Sequence, residues 1–132
     1  MLGFKPVRGK KQKHMSKNVI DGYISKAVLS NVHVSAQKAR LVADLVRGRN
    51  VTTAVDILGN STKKTAPMLK KLILSAVANA RQREGVDIEE LFVRSVTVDE
   101  GKKHKRFMPR AQGRATPIIK RHSSITVVLD EI

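Results

Sequence analysis

The sequence predicts an α+β domain in which three helices pack on a three-stranded antiparallel sheet and a long β-hairpin protrudes from it. Three observations favour this class. Apolar residues recur at spacings of three and four in three segments of the middle of the chain, which is typical of helices. They alternate with polar residues near residue 95 and near the end, which is typical of strands. Between these two strands lies a basic stretch with the turn formers Pro109, Gly113 and Pro117.

The chain carries a large excess of positive charge. Its 132 residues include 26 Lys and Arg against 11 Asp and Glu, which gives a net charge of +15. Such a charge on one small domain indicates a polyanionic partner, and nucleic acid is the usual one. A membrane is not an expected partner, because no apolar run approaches the ~20 residues that a transmembrane helix needs. With three Phe and one Tyr, binding is expected through phosphates and shape rather than stacked bases.

The residue types that build metal and redox sites are scarce. The chain has no cysteine, which excludes disulfides and thiolate metal sites and favours a reducing compartment. His33 has no second ligand residue at metal-binding spacing, so a packed or phosphate-facing role is favoured over metal ligation. We therefore expect neither a metal nor a cofactor.

The first 20 residues carry six Lys or Arg, no acid and only isolated hydrophobic residues. This composition predicts a basic tail over residues 1–26, followed by the domain over residues 27–132. Lys10, Lys11 and Lys13 are the candidate nucleic-acid contacts of the tail, and a solvated terminus without a partner is the alternative. The segment lacks the apolar region of a secretory signal, and an organelle-targeting peptide is a minor alternative because Ser and Arg are scarce.

The folded part is predicted to begin with a strand and two helices. The strand covers Ala27–Val34, which is rich in apolar and β-branched residues. Ser35 is the expected N-cap of the first helix, and Gly48 its C-terminal stop. The second helix follows Asn50, a cap-like residue, and closes at Gly59.

The third helix is predicted to be the longest. Its possible openers are Ser61 and Thr62, and Gly85 closes it. Pro67 lacks an N–H and would clash in a helix already running at residue 63, so we expect a late start near Thr65. Three pairs of cations flank the apolar stripe, and a solvated face is the favoured role for at least half of them: Lys63-Lys64, Lys70-Lys71 and Arg81/Arg83.

Two further strands and the basic hairpin complete the predicted fold. Leu91–Val98 and Ser123–Leu129 alternate as half-buried strands. The 29 residues of Gly101–Leu129 contain eight Lys or Arg and no acid. We predict that residues 99–123 form a hairpin arm that reaches on the order of 40 Å. Because a 100-residue domain has a radius of gyration of ~13 Å, the arm projects about as far as the body is wide.

Several segments together are characteristic enough to indicate a family. They are Ser35–Gly48 (SAQKARLVADLVRG), Ser75–Ala80 (SAVANA), Val98–Gly101 (VDEG), Lys105-Arg106, Met108–Ala115 (MPRAQGRA), Lys120-Arg121 and Ile125–Val128 (ITVV). With these segments the chain resembles bacterial large-subunit ribosomal protein twenty-two over residues 28–130, in order and without large gaps. The resemblance implies the α+β body and the long hairpin already expected from the residues.

The resemblance also implies a function and a set of partners. Family members bind large-subunit, 23S-type rRNA across several of its domains and help the subunit assemble. Their hairpin tip lines the polypeptide exit tunnel near its narrow point, beside a loop of ribosomal protein four, and so meets the nascent polypeptide. The implied protein is a structural component of the cytoplasmic ribosome. It is not an enzyme and not a homo-oligomer.

The charged positions and the matching motifs define the candidate sites. The expected rRNA contacts are Lys10, Lys11, Lys13, Lys38, Lys63, Lys64, Lys102, Lys103, Lys105, Arg106, Arg110, Arg114, Lys120, Arg121 and His122. The resemblance implies a tunnel tip made of Met108, Pro109, Arg110, Ala111, Gln112, Gly113 and Arg114. Two stretches depart from the family pattern. Lys102 follows Gly101 where the family often has Pro. Before the last strand the chain has His122-Ser123-Ser124, where the family often has Thr-Ser-His.

Two other functional classes agree less well with the sequence. Catalysis is disfavoured because the acids are scattered or grouped in residues 87–90, without a His or Cys at workable spacing and without a glycine-rich phosphate loop. An architectural DNA-binding protein with a basic β-arm is the main alternative. Such proteins usually act as two-armed dimers, and the sequence shows no dimer seam.

Overall fold

The computed structural model describes residues 23–131. This part of the chain forms three helices and three strands, with single 3-10 turns at Ile88–Glu90 and Ala111–Gly113. The elements in order are β1 (Ser25–Val32), α1 (Ala36–Val46), α2 (Val51–Asn60), α3 (Thr65–Arg81), β2 (Leu91–Pro109) and β3 (Ala115–Glu131). The predicted α+β class is confirmed.

The starts of the helices follow from local sequence. The backbone N–H of Lys38 donates to the Ser35 hydroxyl at 3.4 Å, so Ser35 caps α1 as predicted. α3 begins at Thr65, which confirms the late start. Pro67 then lies in the first turn, where a backbone N–H has no partner within the helix in any case. Gly48, with a φ of 78°, follows the end of α1 in the left-handed region.

Two helix ends differ from the predictions. α2 runs one residue past Gly59 to Asn60. α3 ends at Arg81 rather than near Gly85. Its last turn tightens, because the N–H of Arg83 donates to the carbonyl of Ala80 at 3.0 Å, three residues back. Gly85, at a φ of 77°, therefore lies in the turn beyond the helix.

The described sheet has the order β1-β3-β2, and both neighbouring pairs are antiparallel. β3 is thus the central strand, although it comes last in the chain. β1 starts and ends two residues earlier than predicted, at Ser25 and Val32. β2 and β3 each run from the body into the hairpin. The core strands and the arms of the hairpin, which were predicted as separate segments, are therefore two parts of the same strands: one part is buried and the other is exposed.

The core lies between the helices and one face of this sheet. Ile125, Val127 and Leu129 of β3 are buried, while Thr126 and Val128 on the opposite face are only partly covered. The predicted stripe of α3 is buried in full: Ala66, Leu69, Ile73, Ala76, Val77 and Ala80. Each fully buried Leu, Ile or Val contributes about 1.5–3 kcal/mol of transfer free energy. Apolar burial therefore holds the body together.

The arm begins where β1 stops pairing, opposite Ser123. Both neighbours of β3 carry an irregularity at this level, between Leu29 and Val32 in β1 and between Glu100 and Lys103 in β2. Beyond it only β2 and β3 remain paired, from Lys103 opposite Arg121 to Pro109 opposite Ala115. Every residue from Lys102 to Pro117 is exposed.

Glycine is favoured at the base of the arm and at its tip. A Cβ at Gly101 would lie 3.2 Å from the carbonyl carbon and oxygen of His122, so a side chain there would push the two strands apart by a few tenths of an ångström. At the tip, Gln112 and Gly113 have φ values of 61° and 71°. Gly113, one of the turn formers that the sequence predicts, thus lies in the turn. The turn is closed by the N–H of Arg110, which donates to the carbonyl of Arg114 at 2.7 Å.

Candidate nucleic-acid interface

The arm presents cations on both of its faces. Successive residues of a strand point to opposite sides, so the register places Lys103, Lys105 and Arg121 on one face and Arg106 and Lys120 on the other. Since Gly101–Leu129 contains no acid, charge compensation along the shaft is nearly absent. Where the chain is described, the one ion pair of the arm joins Lys103 to Glu100 at 3.8 Å, and both side chains are exposed. Such a pair contributes little.

The tip residues are all exposed and are held by the turn. The side chains from Met108 to Arg114 are exposed and do not pack in the core. Arg110, Gln112, Arg114 and Thr116 border a shallow depression at the end of the arm. The guanidinium groups of Arg110 and Arg114 therefore flank the end of the hairpin, where either can form a planar, two-pronged contact with a phosphate.

At the base of the arm, predicted site residues from four parts of the sequence meet. A cavity of about 650 Å³ is lined by His33, Lys38, Lys63, Lys64, Lys120 and Arg121, together with apolar residues. We call it the root cavity. A second cavity of about 330 Å³, the junction cavity, is lined among others by Ser35, Glu100, Lys103, Arg121 and His122. Arg121 borders both, so the two cavities lie side by side where the body becomes the arm.

Three histidines contact one another beside these cavities. The ring of His122 lies 4.8 Å from that of His33 and 4.9 Å from that of His104, in both cases edge to face. The Nδ1 atom of His122 is buried without a hydrogen-bond partner in the described part of the chain. In the sequence no second candidate ligand lies at metal-binding spacing from His33, whereas the fold places His33 in a cluster with His122 and His104. Even so, no group of His, Asp and Glu among residues 23–131 is arranged to hold a metal ion.

Partial desolvation and nearby positive charge lower the pKa of His33. The first cause is partial desolvation of the ring by its neighbours; the positive potential of His122, Lys64, Lys120 and His104 follows. The imidazole therefore favours its neutral form in the free protein. The positive charge of these neighbours acts in the same direction as desolvation.

Comparison with known proteins settles the family. The profile of the family described as ribosomal protein L22p/L17e matches residues 27–130. A curated relative, the large ribosomal subunit protein uL22 of Bdellovibrio bacteriovorus, is 56% identical over 106 residues, which cover 80% of this chain and 96% of that protein. The chain belongs to the L22p/L17e family. The resemblance seen in the sequence is thus confirmed.

Membership of the L22p/L17e family has direct consequences. The protein is a component of the large ribosomal subunit and not an enzyme, and rRNA and other ribosomal proteins are its partners. The predicted location, the cytoplasmic ribosome, follows from the same finding. Within residues 23–131 no helix is long and apolar enough to cross a membrane.

Some cations have structural partners that the sequence did not reveal. Arg40 donates from Nη2 to the carbonyl of Val98 at 2.9 Å, and Arg47 donates from Nη2 to the carbonyl of Val96 at 2.7 Å. These two arginines tie α1 to β2, which explains why a helix in so basic a protein keeps Arg near its inner side. Their spacing of seven, two turns of helix on one face, is the signal that could have suggested this role.

Exposed apolar residues on the arm were also missed. Phe107 is 74% exposed and Ile119 is 41% exposed, and the register places them on the same face. Apolar residues alternating with cations in a segment outside the core are the sequence signal for such a face. The tail cations Lys10, Lys11 and Lys13 lie outside the described residues.

Proposed function

We propose that this chain binds large-subunit rRNA through its arm and the base of its arm, helps the subunit assemble, and extends the hairpin tip into the polypeptide exit tunnel. The observation that carries the proposal is the arm itself: it is exposed from Lys102 to Pro117, contains no acid from Gly101 to His122 and has cations on both faces. The family membership of the chain agrees with this role.

The physical chemistry of the arm requires an anionic environment. A two-stranded ribbon without a core is marginally stable in water, and mutual repulsion of its cations weakens it further. Both outer edges of the arm lack a partner strand within the described sheet, so their backbone groups are available to RNA. When RNA surrounds the ribbon, its phosphates neutralise the cations, and the repulsion between them no longer destabilises the arm.

The proposed contacts divide by position. Lys102, Lys103, Lys105, Arg106, Lys120, Arg121 and His122 form the shaft; Lys38, Lys63 and Lys64 are contacts of the body. Of the predicted tail over residues 1–26, the last two residues belong to β1; the part before β1 would add Lys10, Lys11 and Lys13. Lysine acts as a point charge toward phosphate, whereas arginine presents a planar fork. The lysines therefore provide neutralisation, and the arginines provide directed contacts, Arg106 and Arg121 in the shaft and Arg110 and Arg114 at the tip.

The tip, Met108–Arg114, is proposed to form part of the tunnel wall. It is the point of the arm farthest from the body, and its turn is ordered by its own backbone rather than by the core. There it would lie beside a loop of ribosomal protein four and face the nascent polypeptide. We place the protein in the subunit as a single copy, because rRNA rather than a second copy neutralises its charge.

The salt dependence of rRNA binding tests this function. If 6–10 phosphates are neutralised, affinity for a large-subunit rRNA transcript falls by roughly 10³–10⁵ between 50 and 200 mM salt, provided that the duplex-DNA scaling carries over. Filter binding across this range measures the slope. A flat response contradicts phosphate-dominated binding, and equal affinity for duplex DNA at matched salt favours the architectural DNA-binding alternative.

A further inference from the structure

The root cavity combines several cations with no compensating acid. Its charged lining comes from α1 (Lys38), from the loop before α3 (Lys63 and Lys64) and from β3 (Lys120 and Arg121). In the part of the chain that the structure describes, the ion pairs involve other residues: Arg47 with Asp44, Arg94 with Asp130 and Lys103 with Glu100. These five cations therefore surround an open volume without an internal counter-ion.

The cavity is suited to an oxyanion with an attached sugar. Arg121 can form a forked contact with two oxygens, and the ammonium groups add point charges around it. Leu41 and Ile119 also line the cavity and are 60% and 41% exposed. An apolar wall beside a cationic one fits a ribose beside its phosphate, whereas a free inorganic anion would leave that wall in water.

The histidine cluster borders the same volume. His33 lines the root cavity, and His122 lines the junction cavity on the other side of Arg121. The groups around His33 are Lys38 from α1, Lys63 and Lys64 from the loop before α3, His104 from β2, and Lys120, Arg121 and His122 from β3. Glu100 lines only the junction cavity. An anion in the root cavity would reduce the local positive potential and so favour the charged imidazole.

We propose that the root cavity holds a backbone phosphate of the rRNA, and that His33 takes up a proton as the phosphate enters. The proposal rests on the proposed rRNA-binding function and adds a defined site and a proton linkage to it. Binding at this site is then stronger at lower pH, unlike the contacts of Lys and Arg, whose charge is constant between pH 5.5 and 8. The root cavity thus gives a pH-sensitive contribution to an interface whose other proposed contacts are mainly Lys and Arg.

The first test compares two double variants of equal charge change. Lys63→Gln/Lys64→Gln removes two cations of the root cavity, and Arg81→Gln/Arg83→Gln removes two from the opposite end of α3, roughly 25 Å away at 1.5 Å per residue. We expect the first variant to bind the rRNA transcript about tenfold more weakly at 100 mM salt, the loss of one or two charge-assisted contacts. The second should change affinity about twofold or less. Circular dichroism checks that both remain folded.

The second test follows affinity against pH at constant ionic strength. From pH 8 to pH 5.5 the wild-type chain should gain affinity, and His33→Asn should lose about three- to tenfold of that gain, because the pKa of His33 rises when the phosphate binds beside it. Because His33 is exposed, this substitution leaves the core intact.

The outcomes separate the two proposals. If the wild-type chain does not bind the transcript at any pH, the proposed function fails and this inference fails with it. If the wild type binds but both double variants lose affinity equally, the root cavity holds no phosphate. If the variants differ but His33→Asn keeps the wild-type pH profile, the proton linkage is wrong.

Discussion

The body and the arm are built on the same two strands but obey different physical rules. In the body, β2 and β3 alternate buried and partly open residues, and their inward side chains are Val, Ile and Leu. In the arm, the same strands expose every residue from Lys102 to Pro117. The change occurs within a few residues of Gly101 and Ser123. A continuous backbone ladder can therefore join a region stabilised by apolar burial to one that depends on an external anion.

Truncating a core side chain should produce the largest effect on stability. Ile73 is fully buried in α3, so Ile73→Ala should lower the free energy of unfolding by about 2–5 kcal/mol. Phe107→Ala is the matched control on the arm, because Phe107 is 74% exposed and its loss should cost less than about 0.5 kcal/mol. Urea denaturation measures both. Equal losses would show that the arm packs as part of the core.

A side chain at the junction should have an intermediate effect. In Gly101→Ala the new methyl would meet the backbone of His122 at 3.2 Å, and backbone has little freedom to move aside. We expect the free energy of unfolding to fall by about 1–3 kcal/mol, as at other overpacked sites. The affinity for rRNA should also fall, because the direction of the arm relative to the body changes. Lys102→Ala, one residue along in the exposed arm, is the control for stability. An unchanged unfolding midpoint for Gly101→Ala would mean that the two strands can separate there freely.

The histidine cluster should give a small pH dependence of stability in the free protein. The pKa of His33 is lowered in the folded state, so between the folded and unfolded pKa values the unfolded chain binds more protons. Stability is therefore fully present above the unfolded pKa of ~6.5 and is lost as pH falls through the lowered value. His33→Asn should reduce this loss in urea titrations at pH 7.5 and pH 5.5. Stability is expected to fall at low pH, whereas the proposed affinity for rRNA rises at low pH, so the two effects of His33 can be told apart.

The body was largely predictable because its signals are local. The N-cap at Ser35, the late start enforced by Pro67 and the stripe from Ala66 to Ala80 each depend on neighbouring residues. The positive φ of Asn31, which helps β1 end opposite the base of the arm, had no glycine to indicate it. The extension of β2 beyond the body was predicted from the hairpin pattern, although Lys and Glu at residues 100–105 have low strand propensity. Cross-strand pairing decided the outcome there.

The candidate site was predictable by charge but not by geometry. Composition identified Lys63, Lys64, Lys120 and Arg121 as cations, yet their meeting around one cavity depends on the packing of α1 and α3 against β3. Arg40 and Arg47 show the converse: residues that look like further RNA contacts donate to backbone carbonyls of β2. Sequence reveals which residues carry charge, and only the fold reveals which charges remain free.

Deleting the outer arm tests the division between body and arm most directly. Removal of Lys105–Ala115 leaves Thr116–Ile119 as a four-residue loop between His104 and Lys120, which are paired in the intact chain. Urea denaturation should give a free energy of unfolding within about 0.5 kcal/mol of the full chain, and the variant should still bind the rRNA transcript through its body and the base of its arm. An unfolded variant would contradict the claim that the body is a self-sufficient platform carrying an arm that contributes nothing to its core.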